Sequence, residues 1–110
     1  MDEKTLTALR QSIEKWERNA VAEVPMGFTI MPQSCPLCQR FWKRYCAGCP
    51  VTGRTGKVGC AGSPYAEAAV AADEWLDNPD NDTLRDTAHA AARAEAEFLR
   101  SLLPEEEAAP

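Results

Sequence analysis

Long apolar runs are missing from this sequence. The longest uncharged, apolar-rich stretch, around Val24 to Met31, is interrupted by Pro25 and Gly27 and is too short to cross a membrane. The opening residues, MDEKTLTALR, are charged and do not read as a secretion signal. The expectation is a cytoplasmic protein with no membrane partner. Histidine is scarce, with His89 alone in an alanine-rich stretch. One unremarkable histidine cannot build a Ser–His–Asp or Cys–His arrangement, and no His-x-Glu signature of a zinc deaminase is present. The expectation is that the protein is not an enzyme. A phosphate loop is lacking as well. Residues 52–59 (TGRTGKVG) look superficially like one, but Val51 and Val58 stand where that motif requires Gly and Ser or Thr.

Acidic residues are absent from one segment only. Residues 35–62 carry Arg40, Lys43, Arg44, Arg54 and Lys57 and no Asp or Glu, a balance of +5. Residues 1–34 balance to −1 and residues 63–110 to −9, which gives the formal −5 of the chain. The basic segment also holds all five cysteines. An odd number of cysteines suits a disulfide framework poorly, and in a reducing compartment such a cluster points to metal.

The cysteine pattern is Cys35-x2-Cys38-x7-Cys46-x2-Cys49-x10-Cys60. A Cys-x2-Cys turn converges two sulfurs while its backbone N–H groups point at them, and two such turns complete a tetrahedral zinc site with Zn–S distances of about 2.3 Å. Thiolates disfavour hard cations such as Mg²⁺ and Ca²⁺. The ligands expected first are Cys35, Cys38 and Cys49, with Cys46 and Cys60 competing for the fourth place. A fully thiolate zinc site is structural, because no position is left for a reacting water. An iron–sulfur cluster is the second metal reading, since Cys49-Pro50 is like the Cys-Pro that ends some cluster motifs, although the spacing departs from the bacterial ferredoxin run. Four thiolates on Zn²⁺ contribute about −2, so part of the local basic charge can neutralise the site.

The rest of the chain reads as helix. Leu6, Leu9, Ile13, Trp16 and Ala20 form one apolar stripe over residues 3–22. Residues 24–34 form an apolar connection packed on the core. A short helix is expected over 39–45. Ser63-Pro64 starts a helix over 64–77 that buries Tyr65, Ala68, Ala69, Ala72, Trp75 and Leu76. The run 77–82 (DNPDND) breaks it and caps a helix over 83–103, with Leu84, Ala88, Ala91, Phe98, Leu99 and Leu102 on one side. Pro104 ends that helix, and the acidic tail 105–110 is expected to be disordered. The architecture is thus a mostly α single domain over 1–104: an N-terminal helix, a cysteine-rich zinc knuckle over 35–62, and two C-terminal helices over 64–103. Trp16, Trp42 and Trp75 are expected to weld the knuckle to the helices.

Basic and aromatic residues interleave in Arg40, Phe41, Trp42, Lys43, Arg44 and Tyr45, a combination that suits nucleic acid. Arg54 and Lys57 can add phosphate contacts. The competing reading, which the sequence favours, packs the rings on the first helix and leaves the charges in water. The order SIEKWERNA, CPLCQRF, CAGCPV, GCAGSPY over roughly residues 10–76 resembles a group of uncharacterised small cysteine-rich proteins of bacteriophage and prophage genomes. The resemblance implies a phage-borne context in a host cytoplasm and no activity. It raises the expectation of an interaction module for a host or phage protein, with nucleic-acid binding through 40–57 and an iron–sulfur or redox role as alternatives.

Overall fold

A computed structural model describes residues 1–30, 35–41, 43, 46–57, 60 and 62–104. The described residues form five α-helices and no strand: α1 (Glu3–Asn19), α2 (Pro36–Phe41), α3 (Pro50–Thr55), α4 (Tyr65–Asp77) and α5 (Asp82–Arg100), with a 3₁₀ turn at Pro25–Gly27.

Helix α1 begins where Asp2 accepts the Thr5 N–H at 2.7 Å, and Arg18 sits favourably in its last turn. Leu9, Ile13, Trp16 and Ala20 of the expected stripe are buried, while Leu6 is half-buried. Complete burial of Leu9 contributes roughly 2 kcal/mol. The helix stops at Asn19, short of the expected residue 22, for a local reason. The buried Asn19 side chain donates to the Thr29 carbonyl at 2.8 Å and accepts the Thr29 N–H at 3.0 Å. It thereby clamps the returning chain against the helix end, and Phe28 drops into the core. Of the apolar connection, Phe28 and Ile30 pack, Val24 and Met26 face solvent, and 31–34 lie outside the described residues.

Helices α4 and α5 pack on each other, and α5 packs in turn on α1. Ala68, Ala71 and Ala72 on α4 and Ala88, Ala92 and Ala96 on α5 are buried, and such small side chains let helix axes approach closely. Asn81 caps α5 by accepting the Leu84 N–H at 3.0 Å, so the capping role expected of the acidic loop falls to its asparagine. Helix α4 starts at Tyr65 with Pro64 at its N-cap, one residue later than the Ser63 cap expected, and the Ser63 hydroxyl accepts the Tyr65 N–H at 3.2 Å. Leu76, expected to be buried, is exposed. The buried face of α4 runs through Ala71 and Trp75 instead.

A ladder of edge-to-face rings crosses the core. Tyr65 meets Trp16 at 6.0 Å, Trp16 meets Phe28 at 5.9 Å, Phe28 meets Trp75 at 6.5 Å and Trp75 meets His89 at 5.6 Å between centroids. Each such contact is worth about 1 kcal/mol beyond its buried area. His89 Nε2 lies 2.7 Å from the Ala22 carbonyl, so the single histidine fastens α5 to the turn after α1.

Two short helices occupy the cysteine segment. The helix expected over 39–45 begins earlier, at Pro36, and its described part ends at Phe41. Helix α3 occupies part of the segment between Cys49 and Cys60. Pro50 opens it at a position where a missing N–H costs nothing, and Gly56, at φ 73°, closes it by donating its N–H to the Thr52 carbonyl at 2.7 Å.

Candidate metal centre

All five cysteines line one chamber of about 220 Å³. Five places in the chain deliver them. Cys35 precedes α2 and Cys38 lies within it, Cys46 sits in the turn that follows, Cys49 caps α3, and Cys60 leads into α4. Ser12, fully buried on α1, fixes the first pair: its hydroxyl accepts the Leu37 N–H at 3.4 Å and lies 3.6 Å from Cys35 Sγ. The second pair depends on an unusual backbone. Cys46 has φ 65° and Gly48 φ 87°, and the Cys49 N–H returns to the Cys46 carbonyl at 3.0 Å. A left-handed non-glycine residue costs of the order of 1–3 kcal/mol and persists only where its surroundings impose it. Ser63 donates to the Cys60 carbonyl at 2.8 Å and so ties the fifth cysteine to the start of α4.

The backbone does point at sulfur. The Cys38 N–H hydrogen-bonds Cys35, and the N–H groups of Val51 and Thr52 hydrogen-bond Cys49, each favouring the thiolate. Other forces oppose ionisation. The hydrogen bond with Cys38, then burial, pushes the Cys35 thiol far up, and burial raises Cys49. At Cys38 the bond to Cys35 pulls down, but the bond to Cys60, burial and the charges of Cys60 and Cys46 outweigh it and leave the thiol at about 11. A soft cation entering the chamber must displace these protons, as metal binding to thiols does. Cys38 hydrogen-bonds both Cys35 and Cys60, so three of the sulfurs stand close together on the chamber wall. Among the described residues, no three His, Cys, Asp or Glu side chains are gathered into a site for one metal ion.

Two charged residues that the sequence reading passed over share the wall: Lys15 and Glu95. Lys15 is 4 % exposed and Glu95 is 1 % exposed. Burial depresses the Lys15 ammonium, against the raising influence of Cys35, Cys38, Cys60 and Glu95. Burial lifts the Glu95 carboxyl to about 7, against the lowering influences of the Ser63 hydroxyl and the Lys15 ammonium. Glu95 Oε2 is buried without a hydrogen-bond partner. The sequence carried a signal for Glu95 only, which falls in register with the apolar stripe of α5, whereas Lys15 lies off the stripe of α1, on the face it shares with the buried Thr5, Ser12 and Asn19.

The basic residues divide. Arg40 donates to Thr5 Oγ1 at 3.1 Å and pairs with Asp2 at 3.3 Å, so it braces α2 against the start of α1. Arg54 donates to the Ser101 carbonyl at 3.1 Å, satisfying the C-terminal end of α5. Lys43 and Lys57 are exposed. Trp42, Arg44 and Tyr45 lie outside the described residues, as does the tail 105–110. Trp16 lines the chamber as expected, whereas Trp75 does not and lies two rings away along the aromatic ladder. No family model matches the chain, and no curated protein and no solved structure matches it.

Proposed function

We propose that this protein is a small non-enzymatic interaction module, organised by a metal–thiolate centre at Cys35, Cys38, Cys46, Cys49 and Cys60 and acting on a host or phage protein or nucleoprotein. The observation that carries the reading is the convergence of all five cysteines, from five places in the chain, on one chamber. A centre there ties α1, α2, α3 and the start of α4 together and supplies cohesion that a chain of 110 residues otherwise takes from a larger core. Zinc is the metal that the Cys-x2-Cys pairs suggest first. The interaction role is supported by an apolar ridge beside the 3₁₀ turn, where Val21 is 72 % and Met26 is 82 % exposed and Val24 also faces solvent.

Elemental analysis of protein purified without added metal tests the centre. A stoichiometric soft metal is expected, and a metal-free chain with an unchanged fold overturns the reading. The nucleic-acid alternative retains Lys43 and Lys57 as exposed cations, with Arg40 and Arg54 already engaged within the chain. Salt-dependent binding to RNA or DNA, abolished by changing Lys43 and Lys57 to Ala, would favour it.

A further inference from the structure

We propose that Cys35, Cys38 and Cys60 form a redox-active thiol triad, in which Cys38 is the hub and closes a disulfide with either neighbour when the chain meets a low-molecular-weight disulfide. The inference goes beyond the metal reading, because it concerns sulfur chemistry that needs no metal.

The contacts between these sulfurs are pairwise. Cys38 hydrogen-bonds Cys35 on one side and Cys60 on the other. Yet no three of the described His, Cys, Asp or Glu side chains are gathered for one metal ion. Such an arrangement serves two-sulfur chemistry directly. A disulfide needs two sulfurs to close to about 2.05 Å, and sulfurs in hydrogen-bond contact have little distance left to travel. Access divides the five thiols in the same way. Cys35, Cys38 and Cys60 are half-buried, whereas Cys46 and Cys49 are buried. The backbone keeps Cys49 occupied through the N–H groups of Val51 and Thr52. The buried Lys15 ammonium faces the same triad, since the thiols that act on its charge are those of Cys35, Cys38 and Cys60. A cation beside a thiol favours the thiolate, which is the attacking form. The hydrogen bonds within the triad and its burial oppose that influence, so exchange runs over minutes to hours rather than seconds.

The chemistry is thiol–disulfide exchange in two steps. Cys38 gives its proton to solvent, and its thiolate attacks one sulfur of the external disulfide. That S–S bond breaks, a mixed disulfide forms on Cys38, and the first external thiol leaves with a proton. Cys35 or Cys60 then loses its proton and attacks the Cys38 sulfur, and the second external thiol leaves. Two cysteines are oxidised and one external disulfide is reduced to two thiols. The two products differ in what they join. A Cys35–Cys38 bond closes the turn at the start of α2. A Cys38–Cys60 bond ties α2 to the residue that leads into α4.

The experiment incubates the full chain, as purified, with oxidised glutathione, then alkylates the remaining thiols in denaturant and maps tryptic peptides by mass spectrometry. Trypsin separates the groups: Cys35 and Cys38 fall on residues 19–40, Cys46 and Cys49 on 45–54, and Cys60 on 58–85. The expected product has lost two thiols, with 19–40 either internally bridged or joined to 58–85, and with both cysteines of 45–54 alkylated. A first disulfide that involves 45–54 overturns the triad, and so do five alkylated thiols after prolonged incubation. Cys38→Ser is expected to leave Cys35 and Cys60 unbridged, and a Cys35–Cys60 disulfide formed at the wild-type rate overturns Cys38 as the hub. Because that variant can fail to fold, Cys60→Ser is the companion, expected to keep the bridge within 19–40. Metal content of the same preparation keeps the two readings apart. Stoichiometric metal with five unreactive thiols overturns the triad and leaves the metal centre standing. A triad disulfide formed in folded, metal-free protein overturns the metal centre and leaves the triad standing.

Discussion

Glu95 shows how one side chain can set the pH response of the whole protein. Its carboxyl stands at about 7 in the folded chain against an ordinary value of 4.5, with burial as the dominant cause. The folded state therefore holds its proton more tightly than the unfolded state. Below about 4.5 both states are protonated and Glu95 carries no penalty. As pH rises from there to about 7, the unfolded chain releases the proton first and stability falls. Above 7 the loss is complete and flat, at roughly 3 kcal/mol. Thermal melts of the wild type across that window should fall with pH beyond any background slope, and Glu95→Gln should remove the extra fall. A Gln variant with the same pH slope would show that the carboxyl is not the responsible group. Asp2 offers a second residue-scale test, because it both caps α1 and pairs with Arg40. Asp2→Ala, which removes the cap and the ion pair together, should lower the midpoint of a denaturant titration by more than Arg40→Ala, which leaves the cap in place. The sequence made the cysteines conspicuous and left Lys15 and Glu95 hidden. Lys15 lies off the apolar stripe of α1, and a single Glu within the stripe of α5 acquires meaning only once the chamber it faces is known.

Elements were legible wherever periodicity ran long. The expected helices over 3–22, 64–77 and 83–103 correspond to α1, α4 and α5, with ends that coincide or are displaced by up to three residues. The displaced ends have local causes, such as the Asn19 clamp on Thr29, which joins residues ten apart and leaves no periodic trace. Helix α3 was missed because six residues carry too little periodicity to stand out, yet its punctuation was present in Pro50 and Gly56. That punctuation makes a prediction of opposite signs for two glycines. Gly56 closes α3 in the left-handed region with open space around it, so Gly56→Ala should destabilise by about 1 kcal/mol through the backbone alone. Gly53 lies inside the same helix and has no positive φ, and a methyl group added there would meet nothing within 4 Å. Gly53→Ala should therefore stabilise by about 0.5–1 kcal/mol. Chemical denaturation of the two variants beside wild type would decide it, and equal effects would argue against a helix at 50–55.

At the scale of the molecule, the charge asymmetry and the cysteine chamber belong to one design. The only acid-free segment is the one whose thiols would carry negative charge once a soft cation bound them. The long helices supply a conventional core through Leu9, Trp16, Trp75 and Leu99. The cysteine segment, by contrast, is held by two six-residue helices, a left-handed Cys46 and single hydrogen bonds from Ser12 and Ser63. Short helices of this kind are not stable alone, and their order must come from what they pack around. Loss of a thiolate should therefore propagate from the centre outward. Cys38→Ser removes the sulfur that hydrogen-bonds both Cys35 and Cys60. It should abolish metal retention, lower the melting temperature sharply and reduce the helical circular dichroism signal by more than α2 and α3 alone account for, because α1 and α4 also border the chamber. If the variant keeps the full helical signal and melts where wild type does, α1, α4 and α5 form a self-sufficient bundle, and the five thiols serve something other than the fold.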